Sequence, residues 1–326
     1  MVQILREPVA DRSAWRGAQL ANDDSWVVEL TPTQIKELEG EKNLKNASVG
    51  SLLDQVREEV LRGRGFVLLR GLPVEGRSLD VVRDFYLRLG EHMGTPISQN
   101  LAGERIVEIK DRGLDVNKRD VKPSQTNAEQ RPHTDPADIV SLLCIRPAQT
   151  GGLSRIASAM AIYNDILANR PEYLDWLYRG FHHDLRGDAS EAAPYGCTPQ
   201  PIPVYRLKDN VLSCVFNAST IKDAQSRMGA LVPDSEMKAV DYMVGLARSD
   251  EFRLEMDFRA GDLQLLNNYT VVHWRTHFTD PAEADRKRLL LRMWLNVPNA
   301  RPVDAEMAEG YITGSRVTMD PAAVRA

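Results

Sequence analysis

Apolar positions along this chain come in short runs that switch repeatedly between the helical period and the strand period. Trp26-Val27-Val28-Glu29-Leu30 reads as a short strand. Thr31-Pro32-Thr33-Gln34 then opens a helix, because Thr31 and Gln34 have capping-box spacing and Pro32 takes the first helical position, where a missing N–H costs nothing. Leu53, Val56, Val60 and Leu61 make one face of a second helix that stops at Gly63. Phe66 to Leu69 is a continuous apolar run between Gly65 and Gly71, short enough for a buried strand. Val82, Phe85, Tyr86 and Leu89 predict a helix closing at Gly90, and Ile106-Val107-Glu108-Ile109 predicts a strand.

Between Lys110 and Gln130 the chain turns polar and charged and loses all periodicity. Long ordered loops inside compact domains tend to be functional, so this segment is read as a loop covering a substrate site; a disordered surface insertion is the alternative. Beyond it, Ile139 to Ile145 predicts a strand stopped by Pro147, and Ser158 to Leu177 predicts two helical pieces divided at Pro171. Val204-Tyr205-Arg206 and Val211 to Phe216 flank Asp209-Asn210, a hairpin signal. A helix follows from Pro233-Asp234 to about Leu246. Phe252 to Phe258, the Ala260-Gly261-Asp262 turn, Leu263 to Leu266 and Leu289 to Leu295 complete the strands. There is no internal repeat. Many short strands without a βαβ rhythm predict an α+β chain built on a double-sheet jelly roll with flanking helices, as one domain over residues 1–326.

Composition narrows the function. A net charge of −5 supplies no positive field for nucleic acid or an anionic membrane, so a small-molecule substrate is expected. The three cysteines, Cys144, Cys197 and Cys214, have no Cys-x-x-Cys spacing and are odd in number, which points to a reducing cytoplasm and away from a disulfide framework. No stretch approaches the ~20 apolar residues of a membrane span, and Met1 to Glu7 has no signal-peptide core. Self-association into a homo-oligomer is left open by these features.

The candidate chemistry centres on Arg131-Pro132-His133-Thr134-Asp135. In an extended chain, residues two apart project to one face, so His133 and Asp135 can grip one ion from the same side; a capped turn is the plainer reading of the pair. A third ligand is available in Val271-Val272-His273-Trp274-Arg275, with His277 as its rival four residues on. Two imidazoles and one carboxylate make the facial set of non-haem Fe(II) oxygenases. His182-His183-Asp184 is discounted, since neighbouring strand residues face opposite ways. Arg288 and Arg292, four apart in an otherwise apolar strand, share a face, and burying two guanidiniums there calls for carboxylate partners unless both point to solvent.

His133-Thr134-Asp135, Thr150-Gly151-Gly152-Leu153-Ser154, Asn268 with His273, and Arg288 with Arg292 together resemble the taurine dioxygenase (TauD/TfdA) family, from about Gly65 to Leu295. The resemblance implies a double-stranded β-helix core and an Fe(II)- and 2-oxoglutarate-dependent dioxygenase that uses O2. It implies His273 rather than His277 as the third iron ligand. Arg288 then matches the arginine that clamps the distal carboxylate of 2-oxoglutarate, helped by a hydroxyl at Ser154, where the family usually carries threonine. Arg292 matches a residue near the primary substrate or the keto-acid end, which suggests a substrate with an anionic or amino-acid-like group. Because Asp135 keeps the carboxylate that related halogenases lack, hydroxylation of a C–H bond is the expected outcome, with 2-oxoglutarate converted to succinate and CO2. A metal-dependent hydrolase or isomerase on a cupin-like barrel is the rival reading, and a non-catalytic small-molecule binding protein a third.

Overall fold

A computed structural model describes residues 3–100, 102–118, 121–185, 194–229 and 233–303. Arg119 and Asp120 of the expected loop, and both ends of the domain expected over 1–326, lie outside the described residues.

In chain order the strands are β1 (Val27–Glu29), β2 (Phe66–Arg70), β3 (Thr95–Ile97), β4 (Ile106–Ile109), β5 (Ile139–Arg146), β6 (Thr150–Gly151), β7 (Ser154–Ser158), β8 (Tyr205–Lys208), β9 (Val211–Cys214), β10 (Leu254–Met256), β11 (Leu263–Asn267), β12 (Val271–Arg275), β13 (Phe278–Thr279) and β14 (Leu289–Asn296). The helices are α1 (Gly17–Leu20), α2 (Pro32–Gly40), α3 (Ser48–Arg62), α4 (Leu79–Met93), α5 (Ala159–Asn169), α6 (Tyr173–Arg179), α7 (Ala218–Met228) and α8 (Asp234–Arg248). The large sheet runs β1-β2-β11-β5-β14-β3, with β4 also on β14, and the small sheet runs β10-β7-β12.

Strand alternation explains how the layers stack. Val67, Leu69, Leu143, Leu263, Leu265, Leu291 and Met293 bury one face of the large sheet against Leu53, Val56, Val60, Phe85 and Leu89 of α3 and α4. The residues between them, Phe66, Leu68, Val140, Cys144, Leu266, Leu290 and Trp294, join Ile156, Leu254, Met256 and Val271 of the small sheet. The small sheet's other face, with Val272 and Trp274, packs on α5, α6 and α8. This is the expected jelly roll with flanking helices. No helix among the described residues is long and apolar enough to cross a membrane.

Most predicted elements stand where the pattern placed them. Asp209 and Asn210 both take positive φ, 50° and 60°, as a tight hairpin turn requires. The helix predicted to close at Gly90 instead runs on to Met93. Gly90 lies where α4 meets β14, and a Cβ on it would have to displace the tip of Met293, whose Cε would be 2.3 Å away. The expected strand from Phe252 to Phe258 shrinks to Leu254–Met256. Helix α7 went unpredicted, having only Ala218, Ile221 and Ala224 buried.

Candidate metal centre

Two segments far apart in sequence are stitched together at the centre. His133 N–H donates to His273 O at 3.0 Å, and His273 N–H donates back to His133 O at 2.8 Å. Directly opposed residues on antiparallel segments present their side chains to the same side, and the two imidazole centroids are 4.3 Å apart. Asp135 follows two residues on, held by its N–H donating to Asn268 Oδ1 at 2.9 Å. The ligand atoms of His133, Asp135 and His273 all lie within 4.8 Å of one another, the only such group found among the described residues.

Charge states suit ligation. Burial pushes the Asp135 carboxyl up, but Arg292, His273, His133 and the Trp294 hydrogen bond outweigh it and hold the group below the usual carboxylate range. Burial, then repulsion by His133, pushes the His273 imidazole down to about 3. A carboxylate and a neutral imidazole are the forms that bind metal. His133 Nδ1 lies 2.8 Å from Arg131 O; donating to that carbonyl, it fixes the tautomer that presents an Nε2 lone pair. His273 Nδ1 has no such partner.

Two cavities meet here. The larger, about 360 Å³, is lined by His133, Asp135, Gln99, His183, Arg292 and Trp294 among others, and the expected loop contributes Arg112 and residues 122–125 and 130 to its wall. A narrow recess of about 40 Å³ is lined by His133, Asp135, His273, Ser154, Arg275, Arg288 and Arg292. His133 and Asp135 therefore stand between a roomy site and a tight, cationic one, with His273 on the tight side.

Arg288, Leu290 and Arg292 all line the recess, as two-residue alternation predicts, although Arg288 precedes β14 and the register shifts between Leu289 and Leu290. Arg288 is 5% exposed, its Nη1 has no hydrogen-bond partner, and burial pushes its pKa down to about 10. A buried guanidinium in that condition is completed by an anion. Ser154 Oγ is 3.1 Å from Gln264 Oε1, so its hydroxyl is oriented by a buried amide. Arg292 reaches the other way: its Nε donates to Gln99 Oε1 at 2.7 Å, its Nη1 lies 3.4 Å from Asp135 Oδ2, and its guanidinium sits 4.5 Å from the Trp294 ring centroid.

His277 is exposed and outside this group. His183, discounted from the sequence, is buried in the wall of the larger cavity with Nδ1 2.8 Å from Thr220 Oγ1, and burial pushes its pKa down to about 3. The alternation argument does not apply here, because residues 182 and 183 lie outside any strand and the neighbouring His183 and Asp184 both line the larger cavity. Trp294, Gln99 and Arg275 were missed as well, because their roles come from contacts across the fold.

Residues 27–294 match the profile of the "Taurine catabolism dioxygenase TauD, TfdA family". The chain belongs to the TauD/TfdA family. It is accordingly an Fe(II)- and 2-oxoglutarate-dependent dioxygenase acting with O2 on a small molecule, and the hydrolase and non-catalytic readings fall away. The chain is 32% identical to the FR-33289 synthase of Streptomyces rubellomurinus, across 92% of this chain and 94% of that protein. It is 24% identical to a taurine hydroxylase-like protein of Stachybotrys chartarum, across 87% and 78%. Among solved structures, asparagine oxygenase with Fe(II), 3-hydroxyasparagine and succinate superposes with a TM-score of 0.59 at 17% identity, covering 83% of this chain and 93% of that one. The non-haem iron oxygenase OrfP with Fe and α-ketoglutaric acid also gives 0.59, at 16% identity, covering 83% and 94%. At such identities these two likenesses bear on the fold alone.

Proposed function

We propose that His133, Asp135 and His273 hold the iron, that Arg288 and Ser154 receive the distal carboxylate of 2-oxoglutarate in the narrow recess, and that the substrate is hydroxylated from the larger cavity. The observation that carries this reading is the clustering of the three donors on the recess that holds Arg288, with His133 and Asp135 also lining the larger cavity. Iron(II) with 2-oxoglutarate and O2 supplies the oxidising power, one oxygen atom entering succinate as CO2 leaves and the other entering the substrate C–H bond.

This chain's residues do the rest. Ser154 and Arg288 line the recess and not the larger cavity, so the cosubstrate's distal carboxylate and the substrate approach the centre from separate sides. The buried Arg288 fixes the length and orientation of the dicarboxylate through the planar fork that suits a carboxylate. Asp135 and His273, both nearly inaccessible, would hold the ion in a fixed position against which the substrate is oriented. Arg292, lining both cavities, faces the substrate, and with Arg112 and Arg131 on the larger wall it favours an anionic or amino-acid-like group. We further assign the chain to a single catalytic domain in a reducing cytoplasm, in keeping with its three buried cysteines.

The test is succinate release across a panel of small carboxylates, amino acids and sulfonates, with Arg288→Gln and Arg292→Gln beside the wild type. At least one class should stimulate release above the uncoupled rate. Arg288→Gln should raise the 2-oxoglutarate requirement by roughly a hundredfold with iron binding intact, the effect of stranding a buried charge. An unchanged requirement in Arg288→Gln would overturn the cosubstrate assignment.

A further inference from the structure

We propose that Arg275 is a second cosubstrate-binding residue, and that through it an occupied recess stiffens the 123–128 segment that walls the substrate cavity. The proposal rests on the reading of the recess given above.

Arg275, 6% exposed at the end of β12, divides its donors between two tasks. Nη2 donates to Ala128 O at 2.8 Å and Thr126 O at 3.0 Å, with Pro123 O at 3.5 Å. Nη1 donates to Thr276 O at 2.9 Å and Asn127 O at 3.2 Å. Nε is buried and has no partner, and the residue lines the narrow recess. Arg288 brings Nη1, equally buried and unpartnered, to the same recess. The two guanidiniums lie against one ring, 4.6 Å and 5.0 Å from the Phe278 centroid.

Two buried cations this close need negative charge. The neighbouring Asp280 spends Oδ1 on the backbone N–H of Arg288 at 2.9 Å, and its buried Oδ2 bonds to neither guanidinium. The recess therefore offers two buried donors from two guanidiniums, and a carboxylate has two oxygens to accept them. The same Arg275 side chain is bonded to the carbonyls of the loop, and Ser124 and Gln130 of that stretch line both cavities. A carboxylate that fixes Nε fixes the guanidinium plane, and with it the carbonyls bonded along its other edge. Cosubstrate binding thereby prepares the wall that the primary substrate meets.

The distal carboxylate is the part that matters, which supplies the control. Under anaerobic conditions with Fe(II), hydrogen exchange is followed in a peptide covering residues 123–130, adding either 2-oxoglutarate or 2-oxopentanoate, which keeps the keto acid and lacks the far carboxylate. Both are brought to full development of the visible charge-transfer band. Exchange should slow by roughly tenfold with 2-oxoglutarate and stay unchanged with 2-oxopentanoate. Arg275→Lys should raise the 2-oxoglutarate requirement by about the same factor and lose the linked protection. Equal protection by both keto acids, or none by either although the band forms, overturns the proposal while leaving the recess reading intact. No band in the wild type removes that reading and this proposal together. The wild-type comparison decides the matter even if the variant does not fold.

Discussion

Trp294 donates its indole N–H to Asp135 Oδ2 at 3.0 Å, and this oxygen also has Arg292 Nη1 at 3.4 Å and His273 Nε2 at 3.7 Å. The carboxylate is thus aimed by two side chains of β14 before any ion arrives. Partners of this kind fix a ligand's orientation, and their loss commonly costs about 10–100-fold in metal affinity. Trp294→Phe keeps the ring and the charge and removes the N–H. Iron or cobalt titration of the folded variant should show a loss in that range; wild-type affinity would show that the hydrogen bond is incidental.

Glycine positions in two helices make opposite predictions for stability. A Cβ on Gly50 in α3 would lie 1.9 Å from the Leu44 carbonyl oxygen, whereas nothing lies within 4 Å of one on Gly245 in α8. Gly50→Ala should destabilise by about 1–3 kcal/mol, the usual cost of forcing atoms into a packed site. Gly245→Ala should stabilise by about 0.4–1 kcal/mol through the unfolded chain and helix propensity. Urea denaturation of both variants checks the pair, and a stabilising Gly50→Ala would contradict the close packing of α3 on the Leu44 turn.

How far the sequence revealed this molecule follows from which interactions are local. β2, β5, β11 and β14 were legible because their apolar runs are buried on both faces. β7 was not: Ser154-Arg155-Ile156-Ala157-Ser158 hides its small apolar content between polar neighbours, and its place comes from pairing with β10 and β12. The His-x-Asp motif was legible for the same local reason. What distinguishes His273 from His277 in space is the antiparallel bridge to His133, a contact between segments 140 residues apart. The roles of Trp294, Arg275 and His183 were not legible, since an indole, a guanidinium and an imidazole announce nothing of their partners until a carboxylate, five carbonyls or a cavity is set before them.

The loop over the site divides into two parts. Residues 123–130 are tied down by Arg275, by Gln130 N–H to Arg275 O at 2.9 Å, and by Asn127 O accepting from Phe278 N–H at 3.2 Å. Residues 113–118 are exposed, with Leu114 and Val116 at 44% and 40%. Exposed backbone with few buried contacts opens readily. In the ligand-free protein, hydrogen exchange should be fast over 113–118 and slower over 123–130, and the first stretch should slow when a true substrate is added. Uniform exchange across both, unaltered during turnover, would assign the whole loop a structural role.

The central claim, that His133, Asp135 and His273 hold iron for a 2-oxoglutarate-dependent oxidation, is tested most directly by anaerobic titration with Fe(II) and 2-oxoglutarate while recording the visible charge-transfer band of the keto-acid chelate. The wild type and His277→Ala should develop the band, whereas Asp135→Ala and His273→Ala should bind iron weakly and fail to develop it under the same conditions. A full band in His273→Ala, or its loss in His277→Ala alone, would contradict the account.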